Sequence, residues 1–311
     1  MNPPSPKHVL LCGHRSFAAQ GLAERLERSG HRLTLFSRGP VGREGNQVAG
    51  PVTEMHANPH LDAAYDTAIN FIVLKNESVS RNLEYVQSLL RLCREKAITH
   101  LVHLSSMSVY RDSLDTITED APIKTDPSAS GPYAALKIAA DLHLLAHTPA
   151  HLKLTLIRPA YVLSPGMADP IGSVGLRLPW RQVLIMGIPA RQRPIISRGL
   201  LIESIGRVVS QPPLGPREVL LLVDRDSPTC GEYIQGCCER LGLARRAQSV
   251  PKLIWVPLFV VREIVKGMRG KWIERSVRSI CYYSSMQTYD PTATEERLGL
   301  SLRTDWKVEI G

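Results

Sequence analysis

The sequence predicts an α/β fold built on a doubly wound parallel sheet, and three observations support this prediction. Short apolar runs alternate with stretches whose apolar residues recur at helical spacing. The first apolar run ends at a glycine that opens a helical pattern, which is typical of a phosphate-binding turn. The order strand, helix, strand then repeats over the first half of the chain, as it does in parallel sheets.

The predicted elements follow one another at short intervals. Apolar spacing predicts four helices. One starts near residue 17, one covers residues 83–93, and two lie at 132–147 and 200–209. The proline at position 132 fits the first turn of the third helix. The six strand candidates fit one Rossmann-like sheet, and they lie at residues 9–12, 32–36, 68–74, 100–104, 152–157 and 218–223.

After residue 163 the alternation gives way to a region rich in proline and glycine. These residues interrupt helices and strands, so the region is expected to be irregular. We predict that residues 1–163 form the sheet domain and that 195–223 return to it. Residues 164–194 and 224–311 are expected to form a smaller C-terminal part that binds the substrate.

The composition is that of a globular protein with a basic surface. The chain has 311 residues, of which 43% are hydrophobic, and this excludes disordered and collagen-like classes. With 38 basic and 29 acidic residues, the net charge is +9. Because no basic tract is dense enough for a nucleic-acid tail, the charge points instead to an anionic small molecule.

The cysteines and apolar runs predict a cytoplasmic protein. The six cysteines form no C-x-x-C pair and match no histidine spacing, so neither a zinc site nor a redox motif is expected. Reduced thiols fit the cytoplasm. The apolar run at 9–12 is too short for a signal peptide, and Pro257 interrupts the run at 253–261, so no membrane span is expected.

The first candidate motif is a turn at residues 13–19, where the first strand meets the first helix. Backbone N–H groups there can hold a pyrophosphate, which makes Gly13, Ser16, Phe17 and Ala18 candidate dinucleotide-binding residues. Only one of the three usual glycines is present. An ordinary turn is therefore the alternative interpretation.

The second motif concerns the choice between NAD and NADP. A carboxylate at the end of the second strand would bind the ribose 2′-hydroxyl of NAD, but this chain has Ser37 and Arg38 there. Arg15 and Arg38 would instead favour a 2′-phosphate through charge-assisted hydrogen bonds. NADP is thus preferred over NAD, with two solvated surface arginines as the alternative.

The third motif carries the chemistry. A serine-rich segment at 105–110 follows the strand at 100–104, and Ser106 precedes Tyr133 and Lys137 by 27 and 31 residues. Tyr133 and Lys137 are four residues apart, so one helical face presents both. A nearby ammonium stabilises tyrosinate, and a serine hydroxyl can steady a substrate oxygen.

At these motifs the chain resembles the extended short-chain dehydrogenase/reductase family, in particular its NAD-dependent epimerase/dehydratase branch. The resemblance covers most of residues 8–223 and continues weakly through 290–299. The motifs that carry it are G-x-x-S-x-x-A at 13–19, S-S-M-S-V-Y at 105–110, E-D-A-P at 119–122, Y-A-A-L-K at 133–137 and R-P at 158–159.

The resemblance implies roles for individual residues. Tyr133 would be the general acid/base, and Lys137 would hold the nicotinamide ribose and lower the pKa of the tyrosine. Ser106 would hydrogen-bond the reacting oxygen, and Pro159 would lie beside the cofactor. The family also implies a homodimer that pairs the helices near 80–95 and 133–147.

The chain departs from the family at several positions that affect the reaction. Residues 71–74 are large where the family has small side chains beside the cofactor, which would narrow the nicotinamide channel. Met107 and Ser108 replace the acid pair of sugar dehydratases, so loss of water is not expected. Ser108 and Tyr161 are expected to contact the substrate, and Tyr161 stands where sugar-nucleotide enzymes often carry asparagine.

These features together predict an NAD(P)-dependent sugar epimerase or oxidoreductase. Hydride would move at a ring carbon of a nucleotide- or lipid-linked sugar. One alternative is an NADPH-dependent ketoreductase that makes a deoxysugar or related product. A second alternative is a non-catalytic cofactor-binding protein, which the eroded glycine turn would fit.

Residues 253–278 admit two interpretations. The apolar stretch at 253–261 is followed by six basic residues up to Arg278, a pattern that amphipathic membrane-surface elements show. Core or dimer packing followed by a solvated basic face is the alternative. On the membrane interpretation, a lipid-linked sugar becomes a candidate substrate.

Overall fold

An eight-stranded sheet forms the centre of the computed structural model. The model describes residues 5–61, 63–112, 115–167, 171, 174–177, 183–185, 187–211, 213–243, 248–249, 251–268 and 286–310. The strands, in spatial order, are β13 (Arg217–Leu222), β8 (Lys153–Pro159), β6 (His100–Leu104), β5 (Thr67–Asn70), β1 (His8–Cys12), β2 (Arg32–Arg38), β4 (Gln47–Gly50) and β3 (Gly42–Glu44).

Seven of these strands are parallel to their neighbours, and β3 is antiparallel to β4. The prediction of a doubly wound parallel sheet is therefore confirmed. The sequence prediction missed β3 and β4, a short hairpin that extends the sheet beyond β2. It also made β5 too long, because the side-chain Oδ1 of Asn70 accepts the N–H of Ile72 at 2.9 Å and the strand ends there.

Four helices flank the sheet, namely α1 (Leu22–Arg28), α2 (Val79–Glu95), α3 (Pro132–His147) and α4 (Arg198–Ser210). The prediction of one continuous first helix from residue 17 is wrong. Phe17–Ala19 form a 3-10 turn, and α1 begins only after Gly21, whose φ of +90° lies in the left-handed region. That conformation suits glycine and interrupts the helical path.

Alternate residues of each strand feed two separate cores, because successive side chains point to opposite faces of the sheet. In β1, Val9 and Leu11 pack with α1 and α4, whereas Leu10 and Cys12 pack with α2 and α3. All four side chains are fully buried. The sheet is thus covered by helices on both faces, which defines the doubly wound class.

The remaining elements form the irregular C-terminal half and a short connection beside α3. They are β7 (Thr116–Ile117), β9 (Tyr161–Leu163), β10 (Gly175–Arg177), β11 (Val183–Ile185), β12 (Ile195–Ser197), α5 (Cys230–Arg240), β14 (Gln248–Ser249), α6 (Lys252–Met268), β15 (Thr288–Tyr289), α7 (Thr292–Leu298) and α8 (Trp306–Glu309). A third apolar cluster joins β11, α5 and α8. The division of the chain after residue 163 stays a prediction.

Within the part of the chain described, no helix is both long and apolar enough to cross a bilayer. Five cysteines are free and buried there, at positions 12, 93, 230, 237 and 238. Of the six basic residues that follow residue 261, Arg269, Lys271, Arg275 and Arg278 lie outside the described residues.

The strand order fixes the place of the site. β1 lies between β2 and β5, so the chain runs outward in one direction from β1 to β2 and then crosses to β5 on the other side. Ligands of such sheets bind at this switch point, beyond the carboxyl ends of the strands. The first turn after β1 and the segment after β5 meet there.

Candidate active site

A cavity of about 510 Å³ opens beyond the carboxyl ends of β5, β6 and β8. Phe71, Leu104 and Pro159 line it where these strands end. The first turn contributes three further lining residues, Ser16, Phe17 and Ala18. The same cavity contains Ser106, Ser108, Tyr133, Lys137 and Tyr161. Tertiary structure therefore gathers all the predicted catalytic and substrate-binding residues around one space.

Ser106 is oriented as a hydrogen-bond donor toward the cavity. Its Oγ accepts the backbone N–H of Ser108 at 3.2 Å and the hydroxyl of Ser108 at 3.0 Å. Both bonds use the lone pairs of the Ser106 oxygen, which leaves its proton for another acceptor. Ser108 thus positions Ser106 in addition to lining the cavity.

One row of α3 carries three ionisable side chains in succession. Tyr133, Lys137 and Asp141 are four residues apart, so they lie one above another on the helix. Tyr133 is half-buried at the cavity, whereas Lys137 and Asp141 are 3% and 0% exposed. The Nζ of Lys137 donates to the carbonyl of Leu104, which ties α3 to the end of β6.

A buried ion pair supports the base of this row. Arg158 donates from Nη2 and Nε to Asp141 Oδ2, at 3.1 and 3.2 Å. The guanidinium of Arg158 also lies over the ring of Tyr110, 4.8 Å from its centroid. Burial raises the pKa of Asp141, and the positive charge of Arg158 opposes that shift. The pair therefore fixes α3 against β8 directly below Lys137.

Burial brings the pKa of Lys137 closer to neutral pH than that of an ordinary lysine. Burial lowers the pKa of Lys137 from its ordinary 10.5 to about 8, Asp141 raises it, and Lys75 lowers it further. Lys75 is an exposed residue after β5 that sequence reasoning did not single out, and its Nζ lies 5.9 Å from the centre of the Tyr133 ring. Two cations therefore face the candidate tyrosine.

The titration of Lys137 gives a first testable prediction. We expect lysine-13Cε NMR of the protein to show one lysine that titrates near pH 8, because burial disfavours its charged form. The substitution Lys75→Met should raise that pKa, since it removes a neighbouring positive charge. Lys124→Met is the matched control, because Lys124 also lines the cavity but is paired with Asp112 at 3.0 Å. A lysine that titrates near 10.5 would contradict the expectation.

The first turn has an unpartnered hydroxyl, as a phosphate-binding site would, and a glycine position that has no room for a side chain. The Oγ of Ser16 is buried and has no hydrogen-bond partner among the described residues, although Ser16 lines the cavity. A polar atom in that state fits a ligand oxygen. At Gly13, φ is +83° and an added Cβ would lie 2.9 Å from Cγ1 of Ile72, so only glycine fits there.

The segment after β5 places large side chains at the site, and whether they narrow the nicotinamide channel stays a prediction. Phe71 and Val73 line the cavity, and Ile72 packs against Gly13. Gly13 itself, Arg15, Ser37 and Arg38 do not line the described cavity. Arg15 and Arg38 are exposed beyond β1 and at the end of β2, and Arg15 Nη2 donates to Gln47 of β4 at 3.2 Å.

The cavity is also lined by a buried arginine that the sequence did not reveal. Arg193 is 2% exposed, and its Nε and Nη2 have no hydrogen-bond partner among the described residues. Its guanidinium lies 4.2 Å from the ring centre of Tyr161 and 5.6 Å from that of Tyr233. A buried guanidinium with two unpartnered nitrogens fits an anion or another strong acceptor.

Two further lining residues come from the distant C-terminal segment. β15 pairs in parallel with β7, which brings Gln287 and Tyr289 to the cavity. Gln287 Nε2 donates to the carbonyl of Arg111 at 2.8 Å. Nothing in the local sequence predicts this pairing, since more than 100 residues separate the two strands.

Comparison with known proteins gives the family. The sequence profile of the NAD dependent epimerase/dehydratase family matches residues 9–180, more than half of the chain. The chain belongs to this family. Membership of this family makes the chain an enzyme of the extended short-chain dehydrogenase/reductase type. The proteins that it resembles include an epimerase, a dehydratase and a reductase.

Solved structures share the fold of this epimerase/dehydratase family member over nearly its whole length. MoeE5 in complex with UDP-glucose and NAD is 20% identical, with a TM-score of 0.69 over 97% of this chain and 95% of the other. Bordetella bronchiseptica WbmG in complex with NAD and UDP is 15% identical, with a TM-score of 0.69 over 98% and 92%. The UDP-glucose 4-epimerase of Bifidobacterium longum is 17% identical, with a TM-score of 0.66 over 97% and 95%.

One curated relative is a reductase and not an epimerase. The 2-alkyl-3-oxoalkanoate reductase of Stenotrophomonas maltophilia (strain K279a) is 26% identical over 172 residues, which are 51% of this chain and 52% of the relative. This chain thus spans about half the length of that curated relative. Family membership therefore includes both epimerases and ketone reductases.

Proposed function

We propose that this family member catalyses NAD(P)-dependent epimerisation or oxidoreduction at a ring carbon of a nucleotide-linked sugar. The observation that carries the proposal is the convergence of Ser106, Tyr133 and a buried Lys137 on one cavity beside the turn that follows β1. Tyr133 is the proton donor and acceptor. Ser106 donates a hydrogen bond to the reacting oxygen, and Lys137 stabilises tyrosinate.

The residues of the chain move one proton in each half-reaction. A bound nicotinamide dinucleotide would accept a hydride from the carbinol carbon and would return one to the ketone. Tyr133 takes the hydroxyl proton of the substrate during oxidation and gives it back during reduction. The positive charges of Lys137 and Lys75 favour the tyrosinate that is present before the oxidation and again after the reduction. An epimerase performs both halves on opposite faces of the ketone, and a reductase performs only the second.

The residues present fit a dinucleotide along the floor of the cavity. The unpartnered Oγ of Ser16 would meet the phosphates, with Phe17, Ala18 and Pro159 beside the remaining cofactor. Lys137 would hold the nicotinamide ribose. Beyond the described cavity, Gly13 gives the turn its close approach to the segment after β5. Ser37 and Arg38, at the end of β2, would hold the adenosine ribose.

The preference for NADP gives a second testable prediction. Replacement of Arg15 and Arg38 by alanine should weaken NADPH binding by about 10–100-fold while NADH binding changes little, because each charge-assisted hydrogen bond contributes about 1.5–3 kcal/mol before solvent screening. Fluorescence titration of both cofactors measures the effect. Arg81→Ala is the control, since this exposed arginine lies on α2 and pairs with Glu84. Equal losses for the two cofactors would refute the assignment.

Arg193 supports a substrate that carries a diphosphate. Its Nε and Nη2 have no hydrogen-bond partner among the described residues, Arg193 lines the cavity, and Tyr161 stacks on its guanidinium. Phosphate oxygens would satisfy the guanidinium in the bidentate geometry that arginine prefers. The complexes of MoeE5 with UDP-glucose and of WbmG with UDP show that this fold accommodates such ligands.

A ketoreductase is the second candidate function. The cavity wall beyond Ser106 contains apolar side chains, namely Met107, Ile117, Val162 and Met167. Such a wall suits an alkyl-bearing ketone as well as a sugar, and the Stenotrophomonas relative is a reductase of an oxoalkanoate.

Native mass spectrometry of the purified chain tests the function and separates these candidates. An epimerase is expected to retain one nicotinamide dinucleotide per chain and to take up UDP. A reductase is expected to arrive empty, to bind NADPH selectively and to ignore UDP. Failure to bind any nicotinamide dinucleotide would overturn both. The same spectrum shows whether the chain forms the homodimer that the family resemblance implies.

A further inference from the structure

Helix α6 carries an apolar face that faces solvent. Eleven large apolar side chains are exposed among the described residues, and five of them lie in this one helix. They are Ile254, Val261, Ile264, Val265 and Met268, and Met268 is 81% exposed. A concentration of exposed apolar side chains of this kind marks an interaction surface.

The five residues form a single stripe. Their spacings of seven, three, one and three residues place them on one side of a helix with 3.6 residues per turn. Val256, at a position on the opposite side of α6, packs against the apolar cluster formed with β11 and α5. The helix is thus anchored to the protein by one face while it displays the other.

The charge of the chain indicates what binds to this apolar face of α6. The sequence of α6 contains Lys252, Arg262 and Lys266 against a single Glu263, and the whole chain carries +9. Two copies of a chain with this net positive charge would repel each other. An anionic lipid bilayer complements both properties, since it attracts the positive charge and accepts apolar side chains at its interface.

We propose that α6 attaches this enzyme to the surface of anionic membranes, with the stripe of Ile254, Val261, Ile264, Val265 and Met268 in the headgroup region. The helix lies in the plane of the interface, as amphipathic helices with a basic polar face do. This inference is independent of the proposed reaction. Its consequence is that the cavity works close to a bilayer.

Vesicle co-sedimentation of the full chain tests the attachment. We expect the protein to pellet with vesicles of phosphatidylcholine and phosphatidylglycerol and not with phosphatidylcholine alone. The variant Val261→Ser/Ile264→Ser/Met268→Ser should bind at least about 30-fold more weakly, because it removes apolar area without a change of charge. Leu214→Ser is the matched control, since Leu214 is 81% exposed outside α6 and its loss should leave binding intact.

Three results would overturn the proposal. They are failure of the wild-type chain to pellet with anionic vesicles, binding by the triple variant equal to that of wild type, and conversion of a wild-type dimer into a monomer by the triple variant. NADPH binding and thermal unfolding show whether the variants are folded. A second readout does not depend on a loss of binding. An environment-sensitive dye attached to the cysteine of Met268→Cys should shift its emission to shorter wavelength only with anionic vesicles.

Discussion

Tyr133→Phe is expected to lower turnover by about 10²–10⁴-fold, the range typical for loss of a positioned acid/base. The hydroxyl of Tyr133 is the proposed carrier of the substrate proton, and phenylalanine keeps the ring beside Lys75 while it removes the proton. Binding of NADPH should change little, because Ser16, Lys137 and Pro159, which line the cavity and are the proposed cofactor contacts, are unchanged. Turnover is measured on the UDP-sugar or 3-oxo compound that the wild type converts, and cofactor affinity by fluorescence titration.

Tyr110→Phe is the matched control for this variant. Tyr110 also lines the cavity, but its hydroxyl donates to the backbone carbonyl of Glu119 at 3.3 Å, and burial raises its pKa to about 12. A phenol held in that way is unsuited to proton transfer near neutral pH. If Tyr110→Phe abolished turnover and Tyr133→Phe did not, the acid/base would be the wrong tyrosine.

The second large effect concerns stability. Asp141→Ala is expected to lower the free energy of unfolding by about 3–5 kcal/mol, because it leaves the guanidinium of Arg158 buried without its carboxylate. Both groups are almost wholly buried, so water cannot replace the lost partner. Urea denaturation measures the change. The Asp141→Ala substitution should also detach α3 from β8 and so disturb Lys137.

An exposed ion pair provides the comparison. Arg81 and Glu84 on α2 approach within 2.6 Å, which is closer than Arg158 and Asp141, yet each side chain is about half exposed. Glu84→Gln should therefore cost less than about 1 kcal/mol. The double variant Asp141→Leu/Arg158→Met should recover part of the loss, since it removes both buried charges. Equal costs for Asp141→Ala and Glu84→Gln would contradict the role assigned to burial.

Much of the sheet could be predicted from local pattern. Strand β6 and helix α3 have the predicted bounds, because a run of buried apolar residues and an N-terminal proline are signals that neighbouring residues carry. The edge hairpin of β3 and β4 escaped prediction. Its strands have only three and four residues, which is too short for hydrophobic periodicity to give a signal.

The break in the first helix shows where local pattern misleads. Phe17, Ala18, Leu22 and Leu26 keep helical spacing, yet the left-handed backbone of Gly21 separates a 3-10 turn from α1. Periodicity reports which side chains face the core and does not report a single residue with positive φ.

The sequence by itself determined the fold class and the serine, tyrosine and lysine at the candidate site, because each depends on spacing within one strand or helix. Only the tertiary structure decided what surrounds them. Lys75, Arg193 and Tyr289 come from segments far apart along the chain, and they meet at the cavity through the strand order and the pairing of β15 with β7. The lowered pKa of Lys137 likewise arises from burial beneath β6, a property of the packed molecule that no single segment carries.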